Sequence, residues 1–306
     1  MKSKARFLDA LKGGATVNIE THRELEWLKE LPSDGFYKIG IRLGVNISDV
    51  SLEDADGEND FSRFGFNDVT DEFAYAIESI RSIPQVKLVG LHIHRTCHSR
   101  SVRFYKRSVA YAASVIKKYH LDLDYLDIGG GYYGIFPNAP TFDDYVTAIY
   151  ESLQKQGLEK LAIIVEPGNA LAASAFTYYS QVIDVKQLPD CRILTTDGTR
   201  NDIDPFFHKN GYMTEINRTN EFGQVVPLQI VAGATCFEYD QLFRLENQPE
   251  IKVGDVIEYK NVGAYTLSLT PMFINYFPRV YSLSSDGLKL VRDKWTAKEY
   301  IQKSNI

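Results

Sequence analysis

Cysteine is scarce in this chain of 306 residues: Cys97, Cys191 and Cys236 are the three, odd in number and far apart. That excludes a disulfide framework and suits a reducing cytoplasm. No stretch reaches the roughly 18 consecutive apolar residues that a membrane span requires. The start, "MKSKARFLDA", lacks the apolar core of an export signal. Basic blocks are missing too: 34 Lys and Arg against 40 Asp and Glu give a formal charge of −6. Nucleic acid and anionic membranes are thereby set aside as principal partners. Histidine is sparse, with six in all, and neither internal repeats nor low-complexity linkers occur. What remains, 44% hydrophobic and 24% charged, is ordinary for a soluble globular protein of one large or two smaller domains. The 19 Tyr and 17 Phe fall mostly in the second half, a weak pointer to an interface.

The first part alternates short apolar runs with helical stripes. "TVNIE", "YKIGIRLGV", "VKLVGLHIH", "LDYLDIGGG" and "LAIIVEPG" read as strands. "THRELEWLKEL", "DVTDEFAYAIESIRSI", "YKRSVAYAASVIKKY" and "FDDYVTAIYESLQKQ" read as helices. Thr21 with Glu24, and Asp68 ahead of its stripe, are the expected helix starts. Strands alternating with helices imply βα units and a parallel sheet, either barrel or doubly wound. Near residue 173 the rhythm changes to short strands and turns such as Ser285-Asp286-Gly287, with an irregular stretch from 199 to 224. The expected division is 1–172, α/β, and 173–306, an antiparallel β domain.

Ligands of parallel α/β folds gather at the carboxyl ends of the strands, and the unusual residues fall there. "GLHIH" places His92 and His94 two apart, facing one side of a strand. Gly129-Gly130-Gly131 after "LDI" is either a tight turn or a cradle of backbone amides for a phosphate. Glu166 before Pro167-Gly168 is either a turn carboxylate or a functional one. The HxH pair also raises a metal-dependent hydrolase, but His22, His98, His120 and His208 do not recur at strand ends, so zinc is under-supplied.

In order, "SRFGF" (62–66), "GLHIH" (90–94), "LDIGGGYYG" (126–134), "VEPG" (165–168), "GATCFEYD" (233–240) and "VGDVIEYKNVGAYT" (253–266) closely resemble the pyridoxal-phosphate-dependent amino-acid decarboxylases. This is the alanine-racemase-like barrel class of diaminopimelate, ornithine and arginine decarboxylases. The resemblance covers almost the whole chain. It implies a cytoplasmic carboxy-lyase working as a homodimer with shared sites, an incomplete pyridoxal-phosphate-binding (β/α)8 TIM-like barrel, and a C-terminal β-sandwich or barrel. It also implies residue roles. Gly129, Gly130 and Gly131, with Gly168 and Asn169, would hold the 5′-phosphate, and Tyr265 would reach it. His94 would stack on the pyridine ring and Glu166 would pair with its nitrogen. Cys236 would act near the reacting carbon across the dimer interface.

The departures shape the expectation further. The family's Schiff-base lysine lies on its first barrel strand, well before the region matching "TVNIE". Here Lys4-Ala5-Arg6 resembles the lysine motif, but the strand and helix that should follow it are absent. The expectation is that roughly three βα units, with that lysine, lie outside these residues. A shortened reading, a complementing N-terminal chain and a rearranged homologue are the three open explanations. "HRTCHSRS" replaces a small Gly-Ser pair, Asn169 replaces an arginine, and Arg95 or Arg100 is the expected substitute cation. Phe237 replaces a substrate-binding carboxylate, for which Glu238 or Asp240 is the expected substitute. His208 and Lys209, in the loop facing the far end of the family's substrates, suggest an acidic or carrier-linked group. A catalytically inert, regulatory homologue is the alternative from another class.

Overall fold

The alternating rhythm becomes, in the computed structural model, six parallel strands with intervening helices. The structure describes residues 2–55, 60–209, 211–219 and 223–304. They fall into two units, residues 1–170 and 171–306.

In the first unit the strands are β1 (Val17–Ile19), β2 (Tyr37–Gly44), β3 (Phe66–Asn67), β4 (Val86–His92), β5 (Tyr125–Asp127) and β6 (Ala162–Ile164). The helices are α1 (Lys4–Lys12), α2 (His22–Leu28), α3 (Ile47–Val50), α4 (Glu72–Arg81), α5 (Val102–Lys118) and α6 (Phe142–Gln156). The sheet runs β1-β2-β4-β5-β6, with β3 beside β2. Every pairing is parallel. Helix starts follow local chemistry. Thr141 and Asp144 form a complete capping box at α6, and Gly157 ends that helix with φ 70°. Thr21 accepts from the Glu24 amide at 3.3 Å. Asp68, expected to start α4, does not do so. The cap position is Asp71, without a side-chain bond, and Asp68 instead accepts from Lys118 Nζ at 2.9 Å.

One sheet face packs under the helices through Ile39, Ile41, Leu91 and Leu126, all fully buried. On the other face a layer runs across the strands: Asn18, Gly40, Gly90, Tyr125 and Ala162 are in register. Its two glycines are required by one large side chain. A Cβ at Gly90 would stand 1.9 Å from Tyr125 Cζ, and one at Gly40 would stand 2.2 Å from the Tyr125 hydroxyl. The Tyr125 ring lies in that space and donates to Asn18 Oδ1 at 2.7 Å. Two residues further along each strand, on the same face, come Arg42, His92, Asp127 and Ile164, again in register. The sequence rhythm thus puts a polar layer at the carboxyl ends of the strands. Among the described residues the sheet is open, and the edge strand β6 is exposed along its whole length.

The second unit holds β7 (Tyr178–Gln187), β8 (Arg192–Thr196), β9 (Met213–Asn217), β10 (Val225–Ala232), β11 (Gln241–Pro249) and β12 (Val256–Lys260). Their order is β11-β10-β8-β7-β12-β9, around Val182, Leu194, Val231, Ile257 and Tyr259. Four pairings are antiparallel; β10 and β8 run parallel, so the sheet is mixed. Strands β13 (Val280–Ser284) and β14 (Gly287–Arg292) form a separate hairpin over the Ser285-Asp286-Gly287 turn. Strand β9 lies in the stretch expected to be irregular, and pairs with β12.

Candidate active site

Along β1 and at the carboxyl ends of β2 and β4, with the turn after β6, a cleft of about 300 Å³ is lined by Lys2, Asn18, Glu20, Arg42, His92 and Glu166 among others. Strand β4 ends at His92, so His94 lies just beyond it rather than on it. The two imidazole rings stand 6.1 Å apart, and both face Glu166. Glu166 Oε2 is 3.2 Å from His94 Nδ1 and 4.0 Å from His92 Nε2.

The glycine triplet brings these groups together. A Cβ at Gly129 would meet His94 Nδ1 at 2.3 Å, and one at Gly130 would meet the Glu166 carbonyl oxygen at 2.2 Å. Gly129 and Gly131 have φ of +72° and +94°, the left-handed region that glycine enters without steric cost. Two of the three amides are already used inside the protein. Gly129 N–H donates to Asp127 Oδ1 at 3.0 Å, and Gly130 N–H donates to His94 Nδ1 at 3.0 Å. At Gly129 and Gly130 the bare backbone admits His94 and the Glu166 chain. The Glu166 amide in turn donates to Gly129 O at 2.7 Å.

His94 Nδ1 thus sits between a donor and an acceptor. With its proton on Nε2 it accepts from Gly130; protonated at Nδ1 it donates to Glu166. Burial lowers the His94 pKa against the opposing pull of Glu166. His92 is 6% exposed, and neither ring nitrogen has a hydrogen-bond partner among the described residues. Burial, then the Arg42 charge, lowers it to about 3, so its ring is neutral at ordinary pH. Arg42 is answered by Glu20 at 2.9 Å, and Lys2 by the buried Glu24 at 2.9 Å. Lys4 lies on α1, paired with Glu30 at 2.7 Å.

Asp127 accepts from Asn18 Nδ2 at 3.2 Å as well as from Gly129. Burial nonetheless raises its pKa to about 6, with Glu166 adding to the effect. A raised carboxyl pKa means that the folded chain holds this proton more tightly than the unfolded one, where aspartate titrates near about 3.9. That stabilisation is present below about pH 4 and lost as pH rises to about 6. His92 works the other way: its contribution is present above about pH 6.5 and lost on acidification. Asp127→Asn is expected to remove about 2–3 kcal/mol of the loss of stability between pH 4 and 7. Urea unfolding at several pH values measures this, and identical pH profiles for the variant and the parent chain would contradict it.

The remaining expected residues distribute as follows. Gly168 opens a short helix, its amide donating to Glu166 O at 2.8 Å, with Asn169 half-buried beside it. Arg95, expected as a substitute cation, is held by Asp60 at 2.6 Å. Arg100 lies against the Tyr133 ring.

In the second unit Cys236 is exposed between β10 and β11. Its neighbour Phe237 stacks on Tyr239 and Phe273, and Tyr239 meets Phe207 edge-on. Phe206 stacks on the exposed His208 and touches Tyr265. Tyr265 is held at φ 65°, a backbone state that costs a non-glycine residue about 1–2 kcal/mol. These ring contacts join the loops carrying Cys236, His208 and Tyr265. Lys209 turns inward, donating to Ile203 O at 2.7 Å. Glu238 is exposed. Asp240 is the other residue expected as a substitute substrate carboxylate. It is 2% exposed and accepts from the Thr199 and Thr235 hydroxyls and the Arg200 and Thr235 amides, which leaves it a knot of the loop.

Sequence reasoning missed Asn18, Glu20, Arg42 and Asp127. His92 and Asp127 end their strands, whereas Asn18 and Arg42 lie inside theirs, so only the register of adjacent strands brings them together.

Comparison with known proteins follows this geometry. The profile of the pyridoxal-dependent decarboxylase family, pyridoxal binding domain, matches residues 1–173. The diaminopimelate decarboxylase of Helicobacter pylori is 25% identical over 302 residues, covering 92% of this chain and 72% of that protein. That of Bacillus subtilis is 29% identical over 245 residues, covering 73% and 53%. Among solved structures, the diaminopimelate decarboxylase of M. jannaschii superposes with a TM-score of 0.82 at 21% identity, covering all of this chain and 73% of that one. No helix among the described residues is long and apolar enough to cross a membrane. The chain belongs to the pyridoxal-dependent decarboxylase family, whose cofactor is pyridoxal phosphate.

Proposed function

We propose that this chain binds pyridoxal phosphate in the cleft at Glu166 and serves the decarboxylation of an amino acid, in the manner of the diaminopimelate and ornithine decarboxylases. One observation carries the reading: bare glycines bring the His94 ring and the Glu166 carboxylate to 3.2 Å, at the mouth of a polar cleft. The residues fit the ring end of the cofactor. Glu166 is half exposed and free to turn its carboxylate onto a pyridinium N–H. His94 offers a flat face beside it. When bound, pyridoxal phosphate supplies an electron sink for the pair left behind as CO2 departs.

The chain's own residues do the rest. Glu166 keeps a proton on the ring nitrogen, since an ion pair there costs far less than an uncompensated charge. His94 fixes the plane. Arg42, tied to Glu20 and at 3.4 Å to the His94 carbonyl, holds the strand ends in place. Cys236 donates the proton that replaces CO2, in a homodimer with shared sites. With Phe237 locked in an aromatic stack, no carboxylate occupies that position, and the exposed His208 favours a substrate with an acidic or carrier-linked far end.

A second reading, a cofactor-binding but inert homologue with a regulatory role, is favoured by one feature. Lys2, the lysine lining the cleft, has its ammonium held by the buried Glu24. The two separate in one experiment. Purified chain is loaded with pyridoxal phosphate, reduced with borohydride for peptide mapping, and assayed for CO2 release. The substrates are diaminopimelate, ornithine, arginine, lysine and acidic amino acids. Cofactor-dependent CO2 release, when a Schiff-base lysine is supplied, is the expected result. Binding without CO2 from any of them would replace it with the second reading.

A further inference from the structure

We propose that Tyr105 is a positioning residue: its hydroxyl sets the Gly130–Gly131 peptide so that the Gly131 amide is presented as a donor to the phosphate of pyridoxal phosphate. The inference rests on the cofactor reading above and adds a residue to it. Of the three glycine amides, Gly129 bonds Asp127 and Gly130 bonds His94. Among the described residues the Gly131 amide donates to nothing.

Tyr105 reaches this loop from α5. Its hydroxyl donates to Gly130 O at 3.0 Å, a buried bond. A peptide unit is planar and trans, so its C=O and N–H point in opposite directions. Holding the Gly130 carbonyl toward the tyrosine therefore aims the Gly131 N–H away from it. Without that bond the unit is free to tilt, because the glycine on either side of it resists rotation little. Gly131 is bare for the same reason. It stands at φ +94°, and a Cβ there would lie 2.8 Å from Thr96 Oγ1 and 3.0 Å from the Tyr105 hydroxyl oxygen. A donor already aimed needs no reordering when an anion arrives.

The tyrosine cannot follow a drifting loop. It is 2% exposed, stacks on Tyr132 at 4.7 Å, and meets Tyr145 and Phe104 edge-on at 5.0 and 5.6 Å. Burial raises its pKa, so the hydroxyl keeps its proton and remains a donor. Its two tyrosine neighbours do not share the task. The Tyr145 hydroxyl donates to Arg100 O at 2.6 Å, and the Tyr132 hydroxyl is buried with no partner among the described residues.

The test is fluorescence titration of the full chain and its variants with two ligands, pyridoxal phosphate and pyridoxal, which lacks the phosphate. Tyr105→Phe keeps the ring stack and deletes the hydroxyl. It should weaken pyridoxal phosphate about fivefold, as expected for one hydrogen bond, and leave pyridoxal within about twofold of the parent. Tyr132→Phe deletes a buried hydroxyl that holds nothing, and should leave both affinities unchanged. Gly131→Ala pushes the hydroxyl aside with Tyr105 intact; the same selective loss is expected, and it decides the matter if Tyr105→Phe fails to fold. Circular dichroism checks each variant. Unchanged pyridoxal phosphate affinity in Tyr105→Phe, or an equal loss for both ligands as a merely structural role gives, would overturn the proposal. A parent chain that takes up neither ligand refutes the cofactor reading, and the proposal with it. Uptake by the parent with no selective loss in the variants refutes the proposal alone.

Discussion

Gly90→Ala is expected to destabilise the first unit by about 3 kcal/mol, at the upper end of what overpacking a close-packed interior costs. The added carbon would stand 1.9 Å from Tyr125 Cζ, with other ring atoms at 2.2 and 2.3 Å. Real contacts of that kind do not exist, so the ring or the strand must move. The ring cannot swing freely, because its hydroxyl is bound to Asn18, and Asn18 is bound to Asp127. Movement of β4 would carry His92, two residues on, out of register with Asp127. A fall of roughly 6–12 °C in midpoint temperature follows for a unit of this size. Pairing the change with Tyr125→Leu returns the space, so the double variant should lose about 1–2 kcal/mol less than the sum of the single losses. Thermal unfolding of the four proteins measures the cycle. Additive losses, or a Gly90→Ala chain as stable as its parent, would show that the interior layer is not packed as described.

The second large effect is at Glu166. Glu166→Gln keeps the size of the side chain and removes its charge. Loss of the carboxylate removes the partner that holds a ring nitrogen protonated. Pyridoxal phosphate affinity should fall about tenfold or more, the value of one charge-assisted bond. Turnover on an accepted amino acid should fall further, by about 10²–10³, because the group acts on developing charge. Absorbance titration reads the first quantity and CO2 release the second. Values within twofold of the parent would remove Glu166 from the site.

The sequence carried the order of β1, β2, β4, β5 and β6 and of α2, α4, α5 and α6, because those strands are apolar runs and those helices carry apolar stripes; the short α3 and β3, and α1, were not read. The helix 142–156 was read to the residue, since its capping box and its closing Gly157 both have local signatures. Asp68 misled because acid residues precede that helix at both 68 and 71, and the choice was settled by a distant partner, Lys118. Strand β9 was missed because its pattern is half polar and is held by pairing with β12, a tertiary effect. His94 and Glu166 were legible as strand-end residues. Their partners Arg42, Asn18 and Asp127 were not, because only the register of adjacent strands brings them together. The triplet 129–131 was legible as a place of close approach. What approaches Gly129 and Gly130 proved to be the chain's own histidine and the Glu166 backbone. Asp240 looked available in sequence and is spent on four donors in space.

The most direct measurement is a crystal structure of the chain grown with pyridoxal phosphate. The expected density places the ring nitrogen about 3 Å from a Glu166 carboxylate oxygen, with the His94 imidazole against one ring face. A cleft holding no cofactor at saturating concentration, or a cofactor bound away from Glu166, would contradict it.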